Sequence, residues 1–219
     1  MRDPSQRAHA MNHHPSDDCR RAPSPTPPAG CLVYLIGPSG AGKDSLLRAA
    51  AEPLAALGAR IATRVITRPA GSIGEEQAIG LKPDEFLARR ARGEFALHWQ
   101  ANALYYGVPR EIDDWLAAGR IVLVNGSRGH LREARRAYGN LLPILVNVEE
   151  TILRERLLRR GRETAEQIEA RLRRSRQLQA ELANEAGLHR LDNSGPLQQG
   201  VAQLLALLRE YCGDRPRRS

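Results

Sequence analysis

Seven residues, Gly37-Pro38-Ser39-Gly40-Ala41-Gly42-Lys43, carry the spacing G-x-x-x-x-G-K between an apolar run and a stretch of helical periodicity. Glycines at these places let the main chain wrap a phosphate chain with its N–H groups turned inward, and the N-terminus of the following helix adds a favourable dipole. Lys43 places a compact charge on the outer phosphates. Composition sharpens the reading: the chain holds 31 Arg and only 2 Lys, yet the basic position of the motif is a lysine. The next position, where a hydroxyl normally ligates Mg²⁺, is Asp44, with Ser45 behind it. A carboxylate is a hard-cation ligand, which makes Asp44 a candidate for Mg²⁺. A carboxylate at a helix start is equally suited to capping it.

Arginine supplies the second kind of chemistry. Arg64 and Arg68 stand four residues apart at the end of a predicted strand, and guanidinium forks hold phosphate bidentately; surface ion pairs are the alternative use. From Arg154 to Arg176 there are nine arginines (154, 156, 159, 160, 162, 171, 173, 174, 176) against four glutamates, so this stretch carries +5 of a net +8. It is either a solvated helical face or a mobile clamp for a polyanion. Asp113 and Asp114 are adjacent, so on a helix they diverge by about 100° and make no catalytic pair. His9, His13 and His14 sit in a proline-rich tail, where adventitious metal binding is their only evident chemistry.

The elements that must position these groups follow from periodicity. Residues 1–30 read as a flexible tail without an apolar secretory core, and Asp3, Asp17 and Asp18 argue against an organellar targeting peptide. Cys31–Ile36 is a buried strand, followed by the glycine loop and a helix over 44–57. A strand is expected over Arg60–Ile66, then a less regular region over 67–107 with one short helix near 84–92. Pro109 opens a helix that Gly119 closes. Strands at 121–124 and 142–148 each lead into a helix, a long helical stretch over 149–184 breaks at Gly161, and a last helix spans 196–211. Residues 213–219 form a C-terminal tail. Strands alternating with helices predict an α/β fold with a parallel sheet flanked by helices.

The remaining composition excludes other classes. A chain of 219 residues with 42% hydrophobic and 26% charged residues suits one soluble domain. No apolar run approaches the ~20 residues of a membrane span. Cys19, Cys31 and Cys212 are odd in number and widely spaced, which fits neither a disulfide scaffold nor zinc spacing, so a reducing, cytoplasmic setting is expected. Aromatics are 4%, too few for a stacking platform on single-stranded nucleic acid.

Further blocks accompany the loop: Asp44-Ser45-Leu46-Leu47, Arg64-Val65-Ile66-Thr67-Arg68-Pro69, Phe95-Ala96-Leu97-His98-Trp99 and Ala101-Asn102-Ala103-Leu104-Tyr105-Tyr106-Gly107-Val108. Then come Leu123-Val124-Asn125-Gly126-Ser127-Arg128, Arg159-Arg160-Gly161-Arg162-Glu163 and Leu191-Asp192-Asn193-Ser194-Gly195. In this order, over 31 to about 210, they resemble the ribose 1,5-bisphosphate phosphokinases of phosphonate degradation. These belong to the guanylate kinase-like branch of the nucleoside monophosphate kinases, and an Asp after the loop lysine is usual among them. The resemblance implies a P-loop NTPase fold over 31–212, with an acceptor-binding lobe near 67–107 and an Arg-rich lid near 154–176. It implies transfer of the ATP γ-phosphoryl group to the 1-phosphate of ribose 1,5-bisphosphate, giving 5-phosphoribosyl 1-diphosphate, with ATP and Mg²⁺ required. The partner is then a small phosphorylated sugar, with no nucleic acid or membrane, and the enzyme is a monomer or homodimer.

By the same resemblance, Gly37 to Ser45 and Asn193 hold the nucleotide, Asn193 at the adenine base or simply at a turn. Lys43 and Arg171 serve the transferring phosphate, with Arg160 and Arg162 weaker candidates. Arg64, Arg68, Tyr105, Tyr106, Asn125, Ser127 and Arg128 line the acceptor site, although Tyr105 suits a core position equally well. Glu75 or Glu76 would meet acceptor hydroxyls. Guanylate kinase is the nearest alternative, but guanine's donors want acceptors and Asn125-Gly126-Ser127-Arg128 is neutral, then basic. A non-catalytic binding module of the same fold is the other; such modules usually lose the loop glycines and lysine, which this chain keeps.

Overall fold

The computed structural model describes residues 30–68, 78–161 and 163–212. At its centre lies β1 (Cys31–Ile36), buried at every position. Its neighbours are β7 (Ile121–Asn125) and β8 (Leu141–Asn147), both parallel to it, with Leu32 opposite Val122 on one side and Leu141 on the other. Short β2 (Arg60–Ile61) and β9 (His189–Asp192) complete a five-stranded parallel sheet in the order β2-β7-β1-β8-β9.

Alternation along β1 divides the core in two. Val33 and Leu35 face α1 (Lys43–Ala49), α2 (Ala51–Ala56) and α8 (Leu197–Cys212) through Leu46, Leu54, Leu204 and Leu208. Leu32, Tyr34 and Ile36 face α4 (Glu111–Ala117) and α5 (Leu131–Ala137) through Ile112, Leu116, Leu131 and Ala134. Because both faces are covered, the strands read as continuous apolar runs rather than alternating ones.

A second sheet, β4-β3-β6-β5, stands beside the first. β3 (Arg64–Ile66) runs parallel to β4 (Ala78–Gly80) and antiparallel to β6 (Leu104–Pro109), which pairs with β5 (Phe95–Ala101) as a hairpin. α3 (Pro83–Ala91) buries Phe86 against this sheet, its ring 4.6 Å from Phe95 and 5.5 Å from Tyr105. The less regular region expected over 67–107 therefore contains much of a mixed sheet. The hairpin has a two-residue turn, Asn102-Ala103, with both residues at positive φ.

Three other boundaries differ from expectation. The single strand at 60–66 is two strands in different sheets, β2 and β3, so the chain passes from one sheet to the other at Ala62 and Thr63. The helix expected over 44–57 breaks at Ala50, because Pro53 has no N–H for the Ala49 carbonyl four residues earlier. Pro109 ends β6 instead of opening a helix, and α4 begins at Glu111. Strand β9 was not foreseen at all. The long stretch divides as expected at Gly161, into α6 (Glu150–Arg160) and α7 (Ala165–Glu181). A capping box starts α7: Thr164 Oγ1 accepts from Gln167 N while Gln167 Oε1 accepts from Thr164 N. Among the described residues no helix is long and apolar enough to cross a membrane.

Candidate active site

The loop 37–42 leaves the carboxyl end of β1 and enters α1, the place where open α/β sheets bind ligands. Gly42 is the N-cap, at φ 82° and without a side-chain cap bond. Leu46 N, which donates to Gly42 O at 2.8 Å, makes the first helical hydrogen bond, so the N–H groups before it have no partner within the helix. Lys43 Nζ donates back to the carbonyls of Gly37 (2.9 Å) and Pro38 (3.1 Å), which holds the ammonium over the loop.

Asn193 braces the loop from behind. Its Nδ2 donates to Ala41 O at 2.7 Å, its backbone N–H to Asn147 O, and its own carbonyl accepts from Arg156 Nη2 at 2.8 Å. The residue is 2% exposed, and a Cβ on Gly42 would stand 2.7 Å from that Nδ2. Glycine is thus needed at 42 for its dihedral angle and for this close approach. The structure places the Asn193 amide under the loop.

Asp44 points across the cleft. Its Oδ1 accepts from Asn125 Nδ2 at 2.6 Å and from Arg64 Nη2 at 3.4 Å. Both bonds fall on Oδ1 and neither on Oδ2. Asp44 lies in the first turn of α1, where a carboxylate also suits the helix dipole. Arg64, at the start of β3, lies with its guanidinium 5.9 Å from the Tyr106 ring centre, within cation–π range. Tyr106 stacks on Trp99 at 5.5 Å, and Trp99 on His130 at 5.7 Å, which makes an aromatic wall beside the arginine. Burial holds the His130 imidazole below its ordinary pKa, against the pull of Glu133.

The turn after β7 is fixed by a residue that the sequence did not single out. Tyr34, fully buried in β1, accepts from Ser127 N at 3.1 Å and donates to Ser127 O at 3.4 Å. Burial pushes its phenol up to about 12. A Cβ on Gly126 would lie 2.2 Å from the Tyr34 ring, so only glycine lets the chain cross there.

The candidates therefore divide. Asp44, Arg64 and Asn125 line one cleft, with Tyr106 against Arg64, Lys43 over the adjoining loop and Ser127 at the turn that leaves β7. Ser45 lies in the first turn of α1. Arg171, on α7, reaches the loop, where Nη1 donates to Ser39 Oγ at 2.6 Å while Nη2 pairs with Glu163 at 2.9 Å. Tyr105 points to the opposite face of its sheet from Tyr106, into the small core with Phe86. Arg128 turns away from Asp44 and pairs with Glu181 at the end of α7. Arg160 is exposed in the last turn of α6, and Arg68 follows β3 with its N–H on Ile66 O. Arg162, Glu75, Glu76 and the tail histidines lie outside the described residues. Trp99 and His130 were missed, because their approach depends on hairpin register and not on any local motif.

No protein-family model matches the chain. Curated relatives do. It is 57% identical over 182 residues to ribose 1,5-bisphosphate phosphokinase PhnN of Pseudomonas fluorescens (strain SBW25), covering 82% of this chain and 95% of that one. It is 53% identical over 181 residues to the protein of the same name from Azotobacter vinelandii, covering 83% and 97%. Among solved structures, guanylate kinase from Anaplasma phagocytophilum superposes with a TM-score of 0.64 at 18% identity, over 84% of this chain and 86% of that one, which shows the shared fold. The glycine loop, the cleft at the strand ends and the extended identity to these relatives lead to one assignment: the chain belongs to the ribose 1,5-bisphosphate phosphokinase family.

Proposed function

We propose that this enzyme transfers the γ-phosphoryl group of ATP to the 1-phosphate of ribose 1,5-bisphosphate, releasing ADP and 5-phosphoribosyl 1-diphosphate. The observation that carries this reading is the meeting of the phosphate loop with an acceptor-side arginine at Asp44, through Asn125 and Arg64. A loop for the donor and a guanidinium fork for a second phosphate thus share one cleft.

Each residue has a task that its position allows. The loop amides and Lys43 take the β and γ phosphates, the ammonium exchanging the Gly37 and Pro38 carbonyls for phosphate oxygens. Asp44 Oδ2 would hold Mg²⁺; among the described residues there is no three-ligand cluster. That donor set fits magnesium, which is commonly bound by one or two carboxylates plus substrate phosphates and water. When bound, the ion supplies charge neutralisation between the phosphates. Arg64 and Arg68 receive the acceptor phosphate, with Tyr106 and Ser127 alongside. Arg171 exchanges Ser39 for the equatorial oxygens of the transferring group, and α6 with α7 forms the lid around Gly161.

The acceptor needs no general base. The second pKa of a phosphate monoester is near 6, so its oxygen is already anionic at neutral pH. That oxygen attacks the γ phosphorus, the bond from this phosphorus to the β–γ bridging oxygen breaks, and ADP departs with the electron pair. Catalysis is then alignment and charge neutralisation. A coupled ADP-release assay with ribose 1,5-bisphosphate, ribose 5-phosphate and GMP tests the proposal. Ribose 1,5-bisphosphate is expected to exceed GMP by at least a hundredfold in kcat/KM, since two buried unmatched guanine donors at about 1–3 kcal/mol each reach that ratio. Ribose 5-phosphate lacks the attacking oxygen and should be inert. Preference for GMP would move the enzyme to guanylate kinase.

A further inference from the structure

The carboxylate that follows the loop lysine is already engaged. Asp44 Oδ1 is held by the Asn125 amide at 2.6 Å and by the Arg64 guanidinium at 3.4 Å, and the Arg64 side chain is only 11% exposed. The partners come from three separate elements: Asp44 from the first turn of α1, Arg64 from β3 in the second sheet, and Asn125 from the end of β7. Arg64 is thereby tied to the carboxylate proposed for the metal and stands where the acceptor phosphate is proposed to bind.

We infer that Arg64 is a latch between the two substrates, pairing with Asp44 until the acceptor phosphate draws it away, so that acceptor binding releases Asp44 to the nucleotide's metal ion. The inference rests on the reading of Arg64 as an acceptor-phosphate residue. Its physical basis is competition for one fork. A guanidinium against Asp44 opposes a divalent cation at the same carboxylate, both by its charge and by holding Oδ1. A phosphate dianion is a stronger partner for that fork than a carboxylate, because it offers more charge and more acceptor oxygens. Asn125, which stays behind, keeps Oδ1 in place while Oδ2 turns to the metal; it is a positioning residue for Asp44. One consequence is protective: with the acceptor site empty, the metal is held less tightly, and the ATP phosphate chain is less activated toward water.

Linkage makes the latch measurable without turnover. If the acceptor tightens metal binding by some factor, the metal must tighten acceptor binding by the same factor. The experiment titrates Mn²⁺, followed by its electron spin resonance, into the full chain saturated with adenylyl imidodiphosphate, with and without ribose 1,5-bisphosphate. In the wild type the acceptor is expected to lower the Mn²⁺ dissociation constant about fivefold or more, within the usual range for coupled sites. Arg64→Ala should bind Mn²⁺ tightly without acceptor and lose the response. Arg60→Ala removes the same charge from an exposed position on β2 and should leave acceptor-free Mn²⁺ binding at the wild-type value. If Arg64→Ala unfolds in a thermal melt, Arg64→Gln takes its place as a neutral variant closer in size. Equal Mn²⁺ constants in wild type and Arg64→Ala, or equal effects of the two alanine variants, overturn the latch. So does a wild type that binds ribose 1,5-bisphosphate by calorimetry with no change in Mn²⁺ affinity. If calorimetry shows no binding of ribose 1,5-bisphosphate, the acceptor assignment falls and the latch with it, whereas the comparison of Arg64→Ala with Arg60→Ala still shows whether Arg64 holds Asp44 from the metal.

Discussion

Lys43 and Tyr34 show two ways in which a single residue controls the cleft. The Lys43 ammonium rests on loop carbonyls at 2.9 and 3.1 Å, so its loss removes a mobile charge and leaves the core untouched. Lys43→Ala is expected to cut kcat by ~10² or more, the usual cost of one lost electrostatic contact to the transition state. Its melting temperature should stay at the wild-type value; near-normal turnover in a folded variant would remove Lys43 from the mechanism. Tyr34 acts on stability instead. Tyr34→Phe leaves Ser127 N–H without its acceptor and should cost about 1–3 kcal/mol. The sign of its pH dependence follows from the phenol, raised from 10.0 to about 12 in the folded chain. Stability gained from a raised pKa is complete below pH 10 and is lost as pH rises through 12. The gap in denaturant midpoint between wild type and Tyr34→Phe should therefore be full at pH 8 and shrink between pH 10 and 12. A gap that widens over that window would contradict the assignment. At this scale the motif residues were legible because their chemistry is local. The Asn125–Asp44 bond was not, since it joins residues 81 positions apart through the pairing of β1 with β7.

Among the elements, the parallel sheet was legible and the second sheet was not. Strands β1, β7 and β8 are buried on both faces and bounded by turns, which makes their apolar runs distinct. Strands β3, β5 and β6 divide their apolar positions between the small core around Phe86 and the larger one around Ile112, and His98, Gln100 and the two tyrosines interrupt the apolar pattern. The hairpin signal was weak too. A two-residue turn with both φ values positive favours Asn-Gly, whereas this one is Asn102-Ala103, with φ of 51° and 59°. Placing Ala103 in the left-handed region costs about 1–2 kcal/mol, part of which glycine would give back in unfolded-chain entropy. Ala103→Gly should then stabilise the chain by up to about 1 kcal/mol, read as a rise of ~2–4 °C in melting temperature for a protein of this size. A fall would mean that the alanine methyl packs usefully in the folded turn. The break at Ala50 was readable in principle from Pro53, and the passage of the chain from β2 to β3 was not, because nothing in Arg60–Ile66 marks where one sheet is left for the other.

For the molecule as a whole, the charge of +8 acts on encounter more than on fold. Part of the arginine-rich stretch is internally neutralised: Arg154 pairs with Glu169, Arg176 with Glu150, and Arg171 with Glu163. Arg159, Arg160, Arg173 and Arg174 are exposed on α6 and α7. Both proposed substrates are polyanions, so these side chains would raise local substrate concentration around the cleft, whereas the chemical step depends on groups already inside it. Raising KCl from 0.05 to 0.5 M shortens the screening length from about 14 to about 4 Å. The expected result is a several-fold fall in kcat/KM for both substrates with little change in kcat. Arg173→Gln/Arg174→Gln should lower kcat/KM at 0.05 M KCl and flatten its salt dependence, and at 0.5 M the variant and the wild type should converge. Steady-state kinetics of both proteins across the salt series make the measurement. A salt effect confined to kcat, or a double variant with the wild-type slope, would show that the exposed arginines of α6 and α7 do not steer the substrates.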